Sequence, residues 1–205
     1  MSSFPFTTRL LALALATVGL LAQLTGDLRA QTPDDFTPVT DAVLQSPSDD
    51  DWLMWRRTLD GWGYSPLDEI TRENVDQLRM VWTRALGPGS QQGTPLAYDG
   101  VLYMPNPRDV IQALDAVTGD LLWEHRREVP DGVAEGGLVT NNRNVAIYGD
   151  RIIDTSIDDY VFALDATTGE MVWETEILDY ETNRAMQSSG PVSYTHLTLP
   201  TSDLV

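Results

Sequence analysis

The sequence predicts an all-β fold in which repeated four-stranded antiparallel units form the blades of a β-propeller. The first observation behind this prediction is a repeat, because the segment Ala113–Trp123 recurs 50 positions later as Ala163–Trp173. The two copies share the frame Ala-x-Asp-x-x-Thr-Gly-x-x-x-Trp. The second observation is the period itself, since repeats of this length are typical of solenoids, propellers and arrays.

Each copy of the frame predicts a strand, a tight turn and a returning strand. Residues 110–114 and 160–164 are short, apolar and rich in β-forming side chains. The Asp of the frame can start a turn because its carboxylate accepts hydrogen bonds from the backbone N–H groups just ahead. The Gly of the frame suits a position with positive φ, where a side chain would be strained.

The Trp that ends each copy makes the largest contribution to burial. A buried Trp removes roughly 150–250 Å² from water, which corresponds to about 4–6 kcal/mol at roughly 25 cal/mol per Å². One small sheet cannot cover such a ring, so a neighbouring unit must supply the other wall. We therefore predict that Trp123 and Trp173 pack between successive units.

Four strands are predicted in each unit, which is the blade arrangement of propellers. Asp99-Gly100 is a hairpin-turn signal between the first two strands of the first unit. The first unit has predicted strands at 94–98, 101–104, 110–114 and 121–126. The second unit has predicted strands at 144–148, 151–156, 160–164 and 171–177.

Composition excludes several classes of function. The formal charge is −18, with 31 acidic residues against 13 basic ones, and such a surface does not bind nucleic acid. The chain has no cysteine. That excludes disulfides, zinc–thiolate sites, a cysteine nucleophile and covalently attached c-type haem within these residues.

The N-terminal 30 residues have the pattern of a secretory signal. Arg9 precedes the apolar run 10–21, which is short for a membrane span, and Ala30 suits the position before a cleavage site. This predicts export to the periplasm, with an uncleaved inner-membrane anchor as the alternative. Residues 31–50 are rich in Pro, Asp, Ser and Thr and are predicted to form an exposed lead-in.

No local catalytic signature stands out in the chain. A phosphate-binding glycine loop, a histidine pair at metal-ligand spacing and a nucleophile elbow are all missing from the sequence. Asp154, Asp158 and Asp159 lack the Gly and closing Glu of a calcium loop, so a solvated hairpin turn is expected there rather than a metal site. His125 is expected to be a solvated surface residue.

The Trp-containing frame resembles the tryptophan-docking motif of the quinoprotein propellers, the family built around pyrroloquinoline quinone (PQQ). The segment 57–67, with Arg-Thr-Leu-Asp and Tyr-Ser-Pro-Leu, is similar to the opening of PQQ-dependent alcohol and methanol dehydrogenases. The resemblance covers residues 51–191 and implies an eight-bladed propeller, of which about two complete blades lie in this chain. It also implies a short helix over residues 68–78, which Thr71 could cap.

The resemblance implies three cofactor-binding residues in this chain. Gln92 stands where the family usually has Glu before the Thr-Pro of the first blade. Arg143, in Asn142-Arg143, matches the arginine that contacts the quinone oxygens. Ser188 matches a family threonine whose hydroxyl bonds a cofactor carboxylate, although an ordinary turn serine is an equal alternative. The segment 135–137, Glu-Gly-Gly, replaces the adjacent cysteines found in many members.

The function implied by the resemblance is oxidation of small alcohols by hydride transfer to PQQ, with a bound calcium or lanthanide ion as Lewis acid. A cytochrome c-type protein is the implied electron acceptor, and a homo-oligomer of the full-length protein is compatible with the family. The metal ligands and the catalytic Asp are expected downstream, so these 205 residues alone are expected to be inactive. The alternative is a non-catalytic propeller of the same repeat that serves as an assembly or binding scaffold.

The last residues depart from the family. Residues 192–205 resemble the conceptual translation of a sequencing adapter, so we interpret them as a non-native read-through tail. This interpretation predicts that the chain is the N-terminal part of a longer gene product.

Overall fold

The computed structural model describes residues 36–130 and 141–183. Its eight strands form two four-stranded antiparallel sheets, each with neighbouring strands in sequence order, and this confirms the predicted all-β units. The first unit contains β1 (Leu96–Tyr98), β2 (Val101–Asn106), β3 (Val110–Asp115) and β4 (Leu121–Arg126). The second unit contains β5 (Ala146–Tyr148), β6 (Arg151–Thr155), β7 (Tyr160–Asp165) and β8 (Met171–Glu176).

The turns have the chemistry that the sequence predicts. Asp99 and Gly100 adopt φ values of 46° and 77°, as a two-residue hairpin turn with positive φ at both positions requires. In the first unit, Asp115 Oδ1 accepts hydrogen bonds from the N–H groups of Val117 and Thr118, both at 2.8 Å. The carboxylate of Asp165 accepts the equivalent bonds in the second unit, at 2.9 and 3.0 Å.

The indole rings dock on the turn of the following unit. The Trp123 junction joins the two units: Trp123 Nε1 donates to Ala166 O at 3.0 Å, and a Cβ on Gly169 would lie 2.5 Å from the ring. Only 8% of Trp123 is exposed, which confirms its predicted burial between units. Trp173 is 42% exposed, and the described residues contain no third unit that could cover it.

A second junction of the same kind precedes the first unit. In this Trp82 junction, Trp82 Nε1 donates to Ala116 O at 3.1 Å, and a Cβ on Gly119 would lie 2.6 Å from the indole. Trp82 nevertheless lies in irregular backbone rather than in a strand. The core between the two units is formed by buried side chains from both sheets, including Tyr103, Ile111, Ala113, Trp123, Ile147, Ile152, Phe162 and Leu164.

The predicted exposed lead-in fits most side chains of residues 36–50 but is wrong for two apolar ones. A short helix, α1 (Asp41–Gln45), carries the fully buried Leu44. Val39 is also fully buried and exchanges backbone hydrogen bonds with Gly149. These two apolar side chains belong to the hydrophobic core, while most of the polar segment around them stays exposed.

The helix expected over residues 68–78 is also wrong. The structure has only one turn of 3₁₀-helix, Val75–Gln77, with no buried residue, and a helix this short is unstable without a packed face. The capping hydrogen bonds expected at Thr71 are nevertheless present. Thr71 Oγ1 accepts the Glu73 N–H at 3.2 Å, and Asn74 Oδ1 accepts the Thr71 N–H at 2.7 Å. A second short helix, α2 (Tyr180–Asn183), follows β8.

Candidate functional site

Two of the three predicted cofactor residues, Gln92 and Arg143, lie at one edge of the two sheets. We call it the upper edge: β2 ends and β3 begins there in the first unit, and β6 ends and β7 begins there in the second. Gln92 precedes β1 and Arg143 precedes β5. Because strands alternate in direction within each antiparallel sheet, both residues enter from this edge, whereas the indole-docking turns lie at the opposite edge.

Gln92 and Arg143 are in direct contact. Arg143 Nε donates a hydrogen bond to Gln92 Oε1 at 3.0 Å. The backbones are joined as well, since the N–H of Thr94 donates to the carbonyl oxygen of Arg143 at 2.8 Å. Two side chains that are 51 positions apart in sequence, one from each unit, therefore form a single polar site. Ser188 lies outside the described residues, as does the segment 135–137.

The backbone around Gln92 is fixed by the end of β2. Gln91 Nε2 donates to the carbonyl oxygen of Pro105 at 2.8 Å. Gly93 lies so close to Pro105 that a Cβ would overlap its carbonyl oxygen. Only glycine therefore allows this close approach, and the approach holds Gln92 at the upper edge.

Asp154 and Asn142 form a buried polar pair next to this site. Asp154 is fully buried and Asn142 is 4% exposed. Asn142 Nδ2 donates a hydrogen bond to Asp154 Oδ2, and the backbone N–H of Thr155 donates to Asp154 Oδ1 at 2.7 Å. Burial, reinforced by the negative charge of Asp109, raises the pKa of Asp154 well above its usual range.

Sequence reasoning did not single out this pair, although one signal was available. Asp154 stands two positions after Ile152 in β6, so both side chains point to the same face of the sheet. Ile152 is fully buried. A carboxyl group on the same face of a strand as a core residue is expected to be buried. A buried carboxyl group needs a hydrogen-bond donor beside it.

The expected solvated hairpin turn at Asp154, Asp158 and Asp159 is wrong, because all three residues are at most 3% exposed. Arg127, at the end of the first unit, donates to both carboxylate oxygens of Asp158 at 3.0 Å and to Glu174 at 2.6 Å. Its guanidinium also lies 4.7 Å from the centre of the Tyr160 ring. The turn is covered because the neighbouring unit supplies this arginine.

Two further carboxyl groups of this region are buried. Burial raises the pKa of Asp109 to about 6, against a smaller opposing effect of the hydrogen bond that Asp109 accepts from the Ile157 N–H. Burial also raises the pKa of Asp159 to about 6, and the charge of Asp158 adds to this shift. Within residues 36–130 and 141–183, no three acidic or histidine side chains are placed to hold a metal ion.

The prediction of a solvated His125 is wrong as well. Its Nδ1 lies 3.2 Å from the carbonyl oxygen of Gly169, and its ring centre lies 5.9 Å from that of Phe162. Burial lowers the pKa of His125. The residue therefore belongs to the packing between units, two positions beyond Trp123.

In the part of the chain that the structure describes, none of the helices has the length and apolar character needed to cross a membrane.

Comparison with known proteins identifies the family. The model of the glucose/ethanol/alcohol dehydrogenase β-propeller domain, a PQQ family, matches residues 52–175. The dehydrogenase subunit of the quinone-dependent alcohol dehydrogenase of Gluconacetobacter polyoxogenes is 34% identical over 141 residues, which are 67% of this chain and 19% of that protein. The quinoprotein alcohol dehydrogenase PedH of Pseudomonas putida is 34% identical over 120 residues, 57% of this chain and 20% of PedH.

Solved structures agree with this assignment. The quinohemoprotein alcohol dehydrogenase ADHIIG of Pseudomonas putida HK5 superposes with a TM-score of 0.72 and 28% identity, over 81% of this chain and 24% of that structure. A europium-containing methanol dehydrogenase shares the fold, with a TM-score of 0.67 and 24% identity over 75% of this chain and 27% of its own. The chain spans about one fifth of the length of the curated relatives it matches. This chain belongs to the PQQ family of glucose, ethanol and alcohol dehydrogenase β-propeller domains.

Proposed function

We propose that this chain is the N-terminal part of a periplasmic quinoprotein dehydrogenase that oxidises small alcohols with PQQ as cofactor. The observation that carries the proposal is the contact between Arg143 and Gln92, which brings two predicted cofactor residues from separate units to one edge of the sheets. The family membership and the names of the relatives support the same chemistry.

The residues at this edge fit the cofactor chemically. PQQ presents quinone and carboxylate oxygens, and a permanently charged, forked guanidinium is suited to binding such oxygens. Arg143 would hold these oxygens, while the Gln92 amide can donate through the N–H groups of Nε2 and accept through Oε1. Ser188 would add a hydroxyl donor. When bound, the quinone supplies the hydride acceptor of the reaction.

The remaining parts of the proposal concern the complete protein. A calcium or lanthanide ion would act as Lewis acid, held by ligands beyond this chain, and an Asp there would accept the alcohol proton. One relative, from Thauera butanivorans, is named 1-butanol dehydrogenase (cytochrome c), which supports a cytochrome c-type electron acceptor. The signal-like N-terminal sequence supports the proposed export to the periplasm, with an uncleaved inner-membrane anchor as the alternative.

The rival function is a non-catalytic scaffold built from the same repeat, and one experiment separates the two. We would express the continuous reading frame, titrate PQQ into the cofactor-free protein, and assay ethanol and 1-butanol oxidation with calcium or a lanthanide. Arg143→Ala should weaken PQQ binding by about tenfold to hundredfold, because a hydrogen bond to a charged group contributes about 1.5–3 kcal/mol.

Arg79→Ala is the matched control for Arg143→Ala. Arg79 is exposed and donates only local hydrogen bonds to the carbonyl oxygens of Asp76 and Leu78. Its removal should leave PQQ affinity unchanged. Failure of the complete protein to bind PQQ and to oxidise any alcohol would favour the scaffold and overturn the proposal.

A further inference from the structure

The buried carboxyl group of Asp154 is attached to the segment that carries Arg143. Asn142, which precedes Arg143, donates its side-chain N–H to Asp154, so this segment is tied to β6 of the second unit. Asp154 is in turn fixed by the backbone N–H of Thr155 at 2.7 Å. Complete burial of Asp154 excludes water as a competitor for these donors.

Arg143 is held from the other side by the first unit. Its carbonyl oxygen accepts the N–H of Thr94 at 2.8 Å, and its Nε donates to Gln92 at 3.0 Å. The backbone at 142–143 is therefore held by both units, with Asp154 as the attachment to the second. If that attachment were removed, the Arg143 guanidinium would keep its charge and its donors, but the backbone that carries it would no longer be held in one position.

We propose that Asp154 is a positioning residue that, acting through Asn142, holds the Arg143 guanidinium beside Gln92 for cofactor binding. This inference rests on the proposed function, because it names how one of the proposed cofactor residues is oriented. Asp154 itself touches Asn142 and the Thr155 backbone, so its action on the cofactor would be indirect.

The protonation state of Asp154 gives this role a distinct signature. The charged group that acts on Asp154 is Asp109, from the turn between β2 and β3, and among the described residues no arginine contributes. Asp109 itself faces Asp158 and Arg127. Burial and Asp109 raise the pKa of Asp154, so the neutral carboxyl is favoured in the folded protein and ionisation requires a higher pH.

Ionisation of Asp154 would place a buried negative charge next to a site for an anionic cofactor. PQQ affinity should therefore fall as pH rises through the raised pKa of Asp154. Asp154→Asn mimics the neutral acid: its carbonyl can accept the Thr155 N–H, and a half-turn of the Asn142 amide lets the new amide N–H find an acceptor. This variant should keep its affinity and lose this part of the pH dependence.

The test measures PQQ binding by the complete protein as a function of pH, for the wild type and three variants. Asp154→Ala should weaken binding by about tenfold, as expected when a buried hydrogen-bonding group loses its partner. Asp154→Asn should stay within about twofold of the wild type at pH values below the raised pKa of Asp154 and give a flatter profile across it. Asp159→Asn is the control, because Asp159 is a buried acid of the same edge whose carboxylate makes no hydrogen bond to Asn142.

Crystal structures of cofactor-free Asp154→Asn and Asp154→Ala keep the two proposals separable. Displacement of Arg143 from Gln92 in the alanine variant, but not in the asparagine variant, would support the inference even if the wild type bound no PQQ. Absence of PQQ binding by the wild type would overturn only the proposed function. If Asp154→Ala fails to fold, the dependence of PQQ affinity on pH in Asp154→Asn tests the inference on its own. The inference is overturned if that profile matches the wild type, or if Asp154→Asn displaces Arg143 or loses affinity as much as Asp154→Ala does.

Discussion

The Trp82 junction and the Trp123 junction make the same contacts from different backbones. In both, the indole Nε1 donates to the carbonyl oxygen of an alanine, and the ring covers a glycine with positive φ. Two residues later a polar side chain contacts that glycine's carbonyl oxygen: Arg84 at 3.4 Å in the first junction and His125 at 3.2 Å in the second. Docking is therefore a property of the indole and the turn, and a surrounding strand is not required.

The junctions differ in what surrounds the ring. Trp123 is in β4, contacts Tyr103 with ring centres 6.0 Å apart, and is nearly fully buried. Trp82 is in irregular backbone and remains partly exposed. The interface between the two units, of which the Trp123 junction is one part, also includes the ion pairs of Arg127 with Asp158 and Glu174. We therefore expect equal substitutions to cost more free energy of unfolding at the Trp123 junction.

The largest expected effect is that of removing the buried indole. Trp123→Ala should lower the free energy of unfolding by about 3–5 kcal/mol, the usual range for a buried Trp. Trp82→Ala should cost about half as much, because less of its surface leaves water on folding. Urea titration of the same protein preparation measures both. Equal losses would contradict the difference between the junctions.

Removing the arginine that spans the two units should have the next largest effect. Arg127→Met should cost about 3 kcal/mol, because it leaves the carboxylate of Asp158 buried without its cation. The double variant Arg127→Met with Asp158→Asn is the matched control, since it removes the uncompensated charge. The control should recover part of the loss, and no recovery would show that the ion pair is unimportant.

The buried acids of the upper edge should make stability depend on pH. The pKa of Asp159 is raised from 3.8 to about 6 in the folded state, so the folded protein binds its proton more tightly than the unfolded chain. The stability from this group is present below about pH 4 and is lost as pH rises through about 6. Asp159→Asn should raise the free energy of unfolding at pH 7 by about 1 kcal/mol. It should also reduce the change of that free energy with pH.

Asn suits position 159 because it tolerates the φ of 64° found there. Thermal unfolding at pH 5 and pH 7 measures the effect, with Asp120→Asn, an exposed residue of a turn, as the control. A variant with the same pH slope as the wild type would contradict the assignment of this slope to Asp159.

The smallest expected effect is at the rim of the Trp82 junction. Arg84→Met should cost about 0.5–1 kcal/mol, since it removes one long hydrogen bond to Gly119 while keeping the aliphatic packing. Urea titration measures this loss. The control is Arg79→Met, because Arg79 is an exposed arginine outside the junction. A loss above that of Trp82→Ala would show that the arginine, rather than the indole, maintains this junction.

The sequence was sufficient for the strands and turns because they depend on local chemistry. Short apolar runs of β-forming residues, the Asp that starts each turn and the positive-φ glycine are all readable within a few positions. The choice of Gln92 and Arg143 as cofactor residues came only from the family resemblance. Their contact was not predicted, since nothing local brings together residues on separate units.

The misjudged residues share one physical feature. His125 and Asp158 are polar and were expected in solvent, but His125 contacts Gly169 of the second unit and Asp158 pairs with Arg127 of the first. The same holds for Val39, which is buried against the turn at Gly149. Burial by a neighbouring sheet depends on tertiary contacts, so composition and periodicity along one segment cannot reveal it.

The most direct test of the account is a double-mutant cycle between Trp123 and Gly169, which measures whether one unit's ring docks on the next unit's turn. Gly169→Ala alone should be strongly destabilising, because its Cβ would lie 2.5 Å from the indole at a φ of 73°. When Gly169→Ala is made in the Trp123→Ala variant, the clash with the indole is gone and only the backbone strain at residue 169 remains. If the Trp123 ring docks on this turn, the double variant should be more stable than the summed single losses imply, by about 2 kcal/mol. Additive losses would contradict it.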